Sequence, residues 1–120
     1  KTPLPILNRA NPVISQIKTK ATILQVALYD NGQIDGDTVS IYHNNKLVAE
    51  KVGLSATPIR LSINVSKSEP HHELIMVAEN LGSIPPNTSL MIVTGAGKRQ
   101  EIFISSSEES NARILIDLSE

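Results

Sequence analysis

Alternation of apolar and polar residues is the feature that most constrains this chain. In the segment 22–30, "TILQVALYD", Leu24, Val26 and Leu28 occupy one set of alternate positions, and Gln25 and Tyr29 occupy the other. The segments 37–43 and 59–65 repeat this pattern. Because successive side chains of a strand point to opposite faces, a period of two predicts half-buried β-strands.

Further strands are predicted in the remaining apolar segments, at 13–18, 46–51, 72–79, 89–94, 98–105 and 112–118. They recur about every 10–12 residues with turn-forming residues between them, a spacing typical of sandwiches and barrels. We therefore expect an all-β fold, an antiparallel β-sandwich of eight or nine strands, with a β-barrel as the alternative. The predicted core consists of Leu24, Val26, Leu28, Val39, Ile41, Leu61, Ile63, Leu74, Met76, Ile92, Ile102 and Ile104.

The first twelve residues differ in composition from the rest. Prolines at positions 3, 5 and 12 remove backbone donors and disfavour a helix, so residues 1–12 are predicted to be an extended leader or tether. Residues 13–120 are then expected to form a single β-sandwich domain. Since the chain begins with Lys1, we expect that an upstream segment has been removed.

Composition excludes several classes of function. The 11 basic and 12 acidic residues give a net charge of −1 and are scattered, so no nucleic-acid partner is expected. The absence of cysteine excludes thiolate metal sites, cysteine nucleophiles and disulfides. No apolar run approaches the roughly 20 residues of a membrane span.

The octet 30–37, "DNGQIDGD", allows two interpretations. It closes a hairpin between the segments 22–30 and 37–43 if Asp30 stands opposite Asp37, because apolar residues then pair with apolar ones on one face and the remaining residues pair on the other. Alternatively, Asp30, Asp35, Asp37 and Glu79 converge on a structural calcium ion. An EF-hand register lacks its closing carboxylate, since Tyr42 would occupy that position. The turn is the favoured interpretation, calcium the alternative, and no other cofactor is expected.

No reaction centre is evident elsewhere. His71 and His72 are neighbours on a predicted strand and therefore point to opposite faces, which favours edge and core roles over a shared metal ion. No serine lies in a Gly-x-Ser-x-Gly motif. We therefore expect no catalytic residue and no enzyme activity.

Three segments carry a resemblance to known domains: 28–48 ("LYDNGQIDGDTVSIYHNNKLV"), 78–93 ("AENLGSIPPNTSLMIV") and 111–116 ("NARILI"). They resemble a group of small extracytoplasmic β-sandwich domains of Bacteroidetes, over roughly residues 22–118. The resemblance implies a periplasmic, outer-membrane-surface or secreted module without catalytic residues, and a lipid anchor upstream of Lys1 is compatible with it.

Three classes of binding function remain. The leading prediction is an extracytoplasmic accessory module that holds a protein through its end loops or a sheet edge. A carbohydrate-binding module is the second, with Tyr29 and Tyr42 on one outer face about 13 Å apart. The third is a small proteinase inhibitor acting through loop 80–88, which the consecutive prolines stiffen. The candidate binding residues of that loop are Ser83, Ile84, Pro85, Pro86 and Asn87.

Overall fold

The computed structural model describes residues 2–30, 37–55, 57–80 and 87–119. Within these ranges the chain forms one short helix and nine strands. The elements are α1 (Leu4–Leu7), β1 (Val13–Thr19), β2 (Ile23–Asp30), β3 (Thr38–His43), β4 (Lys46–Gly53), β5 (Ile59–Asn64), β6 (His71–Asn80), β7 (Asn87–Gly95), β8 (Lys98–Ser106) and β9 (Ala112–Leu118). Every strand that the alternation predicts is present.

Two separate sheets make up the fold. The first has five strands in the order β1-β9-β6-β3-β4, and the second has four in the order β5-β2-β7-β8. The predicted β-sandwich is therefore confirmed, and the sheets do not close into a barrel. One pairing departs from the antiparallel prediction, because β1 runs parallel to β9.

The predicted hairpin between the segments 22–30 and 37–43 is wrong. β2 pairs with β5 and β7, whereas β3 pairs with β4 and β6 in the other sheet. The connection across residues 31–36 therefore links the two sheets. The cause is that side chains alternate with a period of two. Any two alternating strands can therefore be paired with their apolar faces on the same side, whether or not they are neighbours in the sheet.

The leader contains a helix and is not simply extended. Pro3 is the N-cap of α1 and Pro5 lies in its first turn, where an absent backbone N–H costs no helical hydrogen bond. Ile6 of this helix is buried with Tyr42, Ile75 and Val77 on the outer face of the five-stranded sheet. The leader is thus packed against the sandwich.

The core lies between the sheets and follows the predicted parity with one exception. Ten of the twelve predicted residues are buried there, and Leu61 packs against them while partly exposed. Ile92 is the exception, because Met91 and Val93 point inward instead. The run 90–93, "LMIV", is apolar at every position, so alternation within the run does not set its phase.

Truncation of a central residue tests this assignment. Ile41 is fully buried, so Ile41→Ala should lower the free energy of unfolding by about 2–5 kcal/mol through lost packing and a residual cavity. Ile92→Ala, which removes a half-buried side chain from the outer face, is the matched control. It should lower the free energy of unfolding by clearly less than Ile41→Ala does. Urea denaturation of both variants measures the difference, and equal losses would contradict the assigned parity.

Candidate binding surface

The outer face of the four-stranded sheet presents side chains in rows that cross the strands. One row runs from Tyr29 on β2 through Leu90 on β7 to Phe103 on β8. Phe103 is 66% exposed, the second most exposed large apolar side chain described. Large apolar side chains gathered on a solvent-facing surface mark interaction sites more often than isolated ones do.

The neighbouring rows of this face contain most of its polar and charged side chains. Arg60, Ala27, Ile92 and Glu101 lie in the next row, and Ser62, Gln25, Thr94 and Arg99 lie in the one after it. Arg99 forms an ion pair with Glu101, and Ser62 donates a hydrogen bond to Gln25. A shallow groove of about 230 Å³ lies over Ala27 and Ile92. The face therefore combines an apolar row with hydrogen-bonding groups.

The strand β8 forms one edge of this sheet. A two-residue turn joins it to β7, and Ala96 and Gly97 both have positive φ, 52° and 74°. This is the turn geometry that suits a tight hairpin, in which the flanking residues Gly95 and Lys98 exchange both backbone hydrogen bonds. Hydrogen bonding alternates along an antiparallel pair. Lys98, Gln100, Ile102, Ile104 and Ser106 therefore bond to β7, whereas Arg99, Glu101, Phe103 and Ser105 direct their backbone N–H and C=O groups away from it.

Tyr29 and Tyr42 do not form a common platform. Tyr29 lies on the outer face of the four-stranded sheet, whereas Tyr42 is buried under α1 on the outer face of the five-stranded sheet. The predicted glycan grip between them relied on the hairpin register and is wrong. Phe103 instead shares a row with Tyr29, about 10 Å away at two strand spacings.

Three of the predicted calcium or loop residues do converge at one end of the sandwich. Asp37 and Asn87 are both 1% exposed. The Thr88 N–H donates to the Asp37 carboxylate across 3.3 Å, and the Asn87 side-chain amide donates to the Thr38 carbonyl across 3.2 Å. Asp30 follows the inward parity of β2 toward the same end. Asp37 and Asn87 thus link one sheet to the other.

Glu79 does not join this group. It accepts a 2.5 Å hydrogen bond from the Ser40 hydroxyl, which in turn accepts the Lys51 N–H. Burial raises the pKa of Tyr42, and the carboxylates of Glu79 and Glu50 raise it further, which places Glu79 near Tyr42. Its side chain therefore belongs to the outer face, on the opposite side of the sheet from Asp37.

Several predicted residues lie outside the described ranges. These are Asp35 of the octet and Ser83, Ile84, Pro85 and Pro86 of loop 80–88. Within the ranges that are described, no three His, Asp or Glu side chains are grouped so as to hold a metal ion. Calcium binding stays a prediction that involves the octet, and inhibition through loop 80–88 likewise stays a prediction.

His71 and His72 point to opposite faces, as predicted. His71 is exposed and lies 2.5 Å from the Asp117 carboxylate, whereas His72 is buried. Sequence reasoning missed the partner of His72, which is His43 on β3, with 2.8 Å between His43 Nε2 and His72 Nδ1. His72 Nε2 lies 2.8 Å from the Glu69 carbonyl, which only accepts, so His72 donates there and accepts from His43. The register of β3 with β6, which the sequence does not reveal, brings the two rings together.

Comparison with protein-family models, with curated proteins and with solved structures found no match to this chain. Among the residues with a described placement, no helix is both long enough and apolar enough to cross a membrane.

Replacement of Asp37 tests what the acidic end does. Asp37→Ala leaves the Thr88 N–H without this acceptor, so the free energy of unfolding should fall by about 1–3 kcal/mol. We expect this loss to be the same in calcium and in chelator, because the inter-sheet hydrogen bond requires no ion. Thermal unfolding in both buffers measures it. If calcium binds, a free calcium concentration of a hundred times the Kd would raise the free energy of unfolding by about 2.7 kcal/mol. Stabilisation of wild type by calcium that Asp35→Ala abolishes would establish the metal site instead.

The histidine pair predicts a pH dependence of stability. Burial, followed by the neighbouring His72, lowers the pKa of His43 below its ordinary 6.5. The unfolded chain then binds a proton more readily than the folded one. The contribution of neutral His43 to the free energy of unfolding should therefore be complete above pH 6.5. It should be lost as the pH falls through the lowered pKa. His43→Gln should flatten the slope of unfolding free energy between pH 7 and 5, and an unchanged slope would show that His43 does not contribute.

Proposed function

We propose that this domain is a non-catalytic binding module that holds an extended segment of a protein partner at the edge strand β8. The observation that carries the proposal is the row of backbone N–H and C=O groups at Arg99, Glu101, Phe103 and Ser105 that β7 leaves available. An added strand forms its main-chain hydrogen bonds with such groups, and its alternate side chains contact the two faces of the sheet.

The properties of the other three edges support this choice. The edge strand β4 is distorted by two register shifts and by Lys51 at a φ of 47°. β1 has a register shift near its start, and β5 is only six residues long. β8 has nine residues and pairs with β7 without a register shift. Natural proteins often protect edges by shortening or bulging them, so an edge with neither device suits a partner strand.

Extracytoplasmic placement is part of the same proposal. Its support is the resemblance of 28–48, 78–93 and 111–116 to the Bacteroidetes domains. In that setting a lipid anchor upstream would hold the module at a membrane surface while the strand edge faces a partner.

A carbohydrate-binding module remains the second candidate. The row of Tyr29, Leu90 and Phe103 beside Gln25 and Arg60 favours it, because glycan sites combine a stacking surface with hydrogen-bonding side chains. The sequence has no tryptophan and only three aromatic residues, so a continuous stacking platform is not available. Protein binding is therefore the better-supported proposal.

A proline at Glu101 tests strand addition. Glu101→Pro removes a backbone donor that points away from β7, so the variant should fold, while an added strand loses a hydrogen bond and meets the proline ring. Peptides selected from a displayed random library against wild type should bind this variant at least about tenfold more weakly, which corresponds to roughly 1.4 kcal/mol. Fluorescence polarisation gives the affinity, and hydrogen exchange should show protection of the Arg99, Glu101 and Phe103 amides.

The matched control is Glu101→Ala, which removes the same carboxylate and keeps the backbone donor. It should bind like wild type. Equal affinities for Glu101→Pro and wild type would exclude β8 as the site. Binding of wild type but not Tyr29→Ala on a glycan array, with no peptide selected, would favour the carbohydrate module.

A further inference from the structure

A groove of about 190 Å³ opens on the side of the sandwich where β1 and β8 are the edges of the two sheets. The buried residues Ile17, Leu24 and Val93 supply its apolar lining. Lys18, Lys20 and Lys98 also line it, and all three are exposed. The groove therefore combines an apolar interior with a basic rim.

The strand β8 connects this groove to the proposed strand addition. Lys98 and Gln100 line the groove, and they share the inward parity of Ile102 and Ile104, which lie in the core. A strand added to β8 bonds through its residues opposite Arg99, Glu101 and Phe103. Its intervening residues, opposite Gln100 and Ile102, then point inward, since side chains alternate along a strand. An apolar side chain opposite Gln100, which lines the groove, would lie at the mouth of the groove.

The positive charge of the groove indicates which residue types of the partner segment would flank the apolar side chain. Among the described residues that line the groove, none is acidic. Lys18 lies close enough to Asp117 to help lower the pKa of that carboxyl, after the larger effects of the hydrogen bonds from His71 and Gln16. In the described part of the chain, no carboxylate forms an ion pair with Lys20 or Lys98. The inward-facing side chain two positions away, opposite Lys98, would meet this charge.

We propose that the partner segment is acidic, with one apolar side chain that enters the groove opposite Gln100 and a carboxylate two positions away, opposite Lys98, that faces Lys20 and Lys98. This inference rests on the proposed strand addition and adds the chemical class of the segment. Asp or Glu suits the basic rim because a charge pair at the edge of an interface speeds association and helps to select the partner. An anionic amphiphile shares part of this chemistry but makes no main-chain hydrogen bonds.

A fluorescein-labelled peptide of the same length as β8 is the probe, with Glu-Thr-Leu-Thr-Glu at its centre and threonine or valine elsewhere. Two control peptides carry Lys in place of both Glu residues, or Ser in place of Leu. Wild type should bind the probe and lose about tenfold or more in affinity toward each control peptide. Added salt should weaken binding of the probe, because exposed charge pairs are screened.

The variant Lys20→Glu/Lys98→Glu tests the rim. It should bind the probe about tenfold or more weakly and recover affinity for the Lys-containing peptide. The matched control is Lys46→Glu/Lys51→Glu, which makes the same change in net charge on β4, at the far edge of the five-stranded sheet. This control should bind the probe like wild type. Circular dichroism confirms that both variants are folded.

The outcomes separate this inference from the proposed function. If Glu101→Pro loses the probe while Lys20→Glu/Lys98→Glu retains it, strand addition stands and the acidic segment is overturned. If the lysine variant loses the probe while Glu101→Pro binds like Glu101→Ala, the groove binds acidic ligands without strand addition. Equal binding by all variants overturns both. Displacement of the probe by laurate, with Glu101→Pro unaffected, would assign the groove to an amphiphile.

Discussion

Contact between the apolar faces of the two sheets is the interaction on which the rest of the structure depends. It commits Leu28, Ile41, Met76 and Met91 to the interior, and each is almost completely buried. Because side chains alternate along a strand, this commitment also decides which residues lie outside. The two outer faces are then treated differently. Helix α1 covers the face that carries Tyr42, Ile75 and Val77, whereas Phe103 on the opposite face stays exposed.

A second consequence concerns the edges, since an open sandwich has four of them and a barrel has none. Each sheet ends in two strands whose outer backbone groups require water or a partner. Bulges and a left-handed residue distort β4, which discourages a regular partner strand. β8 lacks these devices in its pairing with β7. The asymmetry between these edges is a physical argument for function, because an undistorted edge exposes a protein to unwanted association unless it has a use.

The sequence predicts strands better than it predicts their partners. Alternation and the spacing of apolar segments together identify all nine strands and most of the core, because burial of one face acts on each strand separately. The pairing of β2 with β7, and not with β3, depends on packing between segments far apart in the chain, and the alternation is equally compatible with both. The prediction that Ile92 is a core residue is wrong for a related reason, since "LMIV" is apolar at both parities. The contact of His43 with His72 needs the β3–β6 register, which no local pattern encodes.

Alternation also divides the residues of β8 into two sets, one that contributes to the fold and one that is available for the proposed binding. Ile102 and Ile104 contribute to the core, and the backbone bonds of these residues belong to β7. The residues between them contribute neither core side chains nor hydrogen bonds to β7. Their backbone groups would give an added strand affinity that depends little on its sequence, because main-chain bonds are common to all residues except proline. Selectivity must then come from side chains, and the basic groove beside Lys98 is the nearest feature able to supply it. Under the proposed binding mode, affinity and selectivity would therefore reside in alternate residues of one strand.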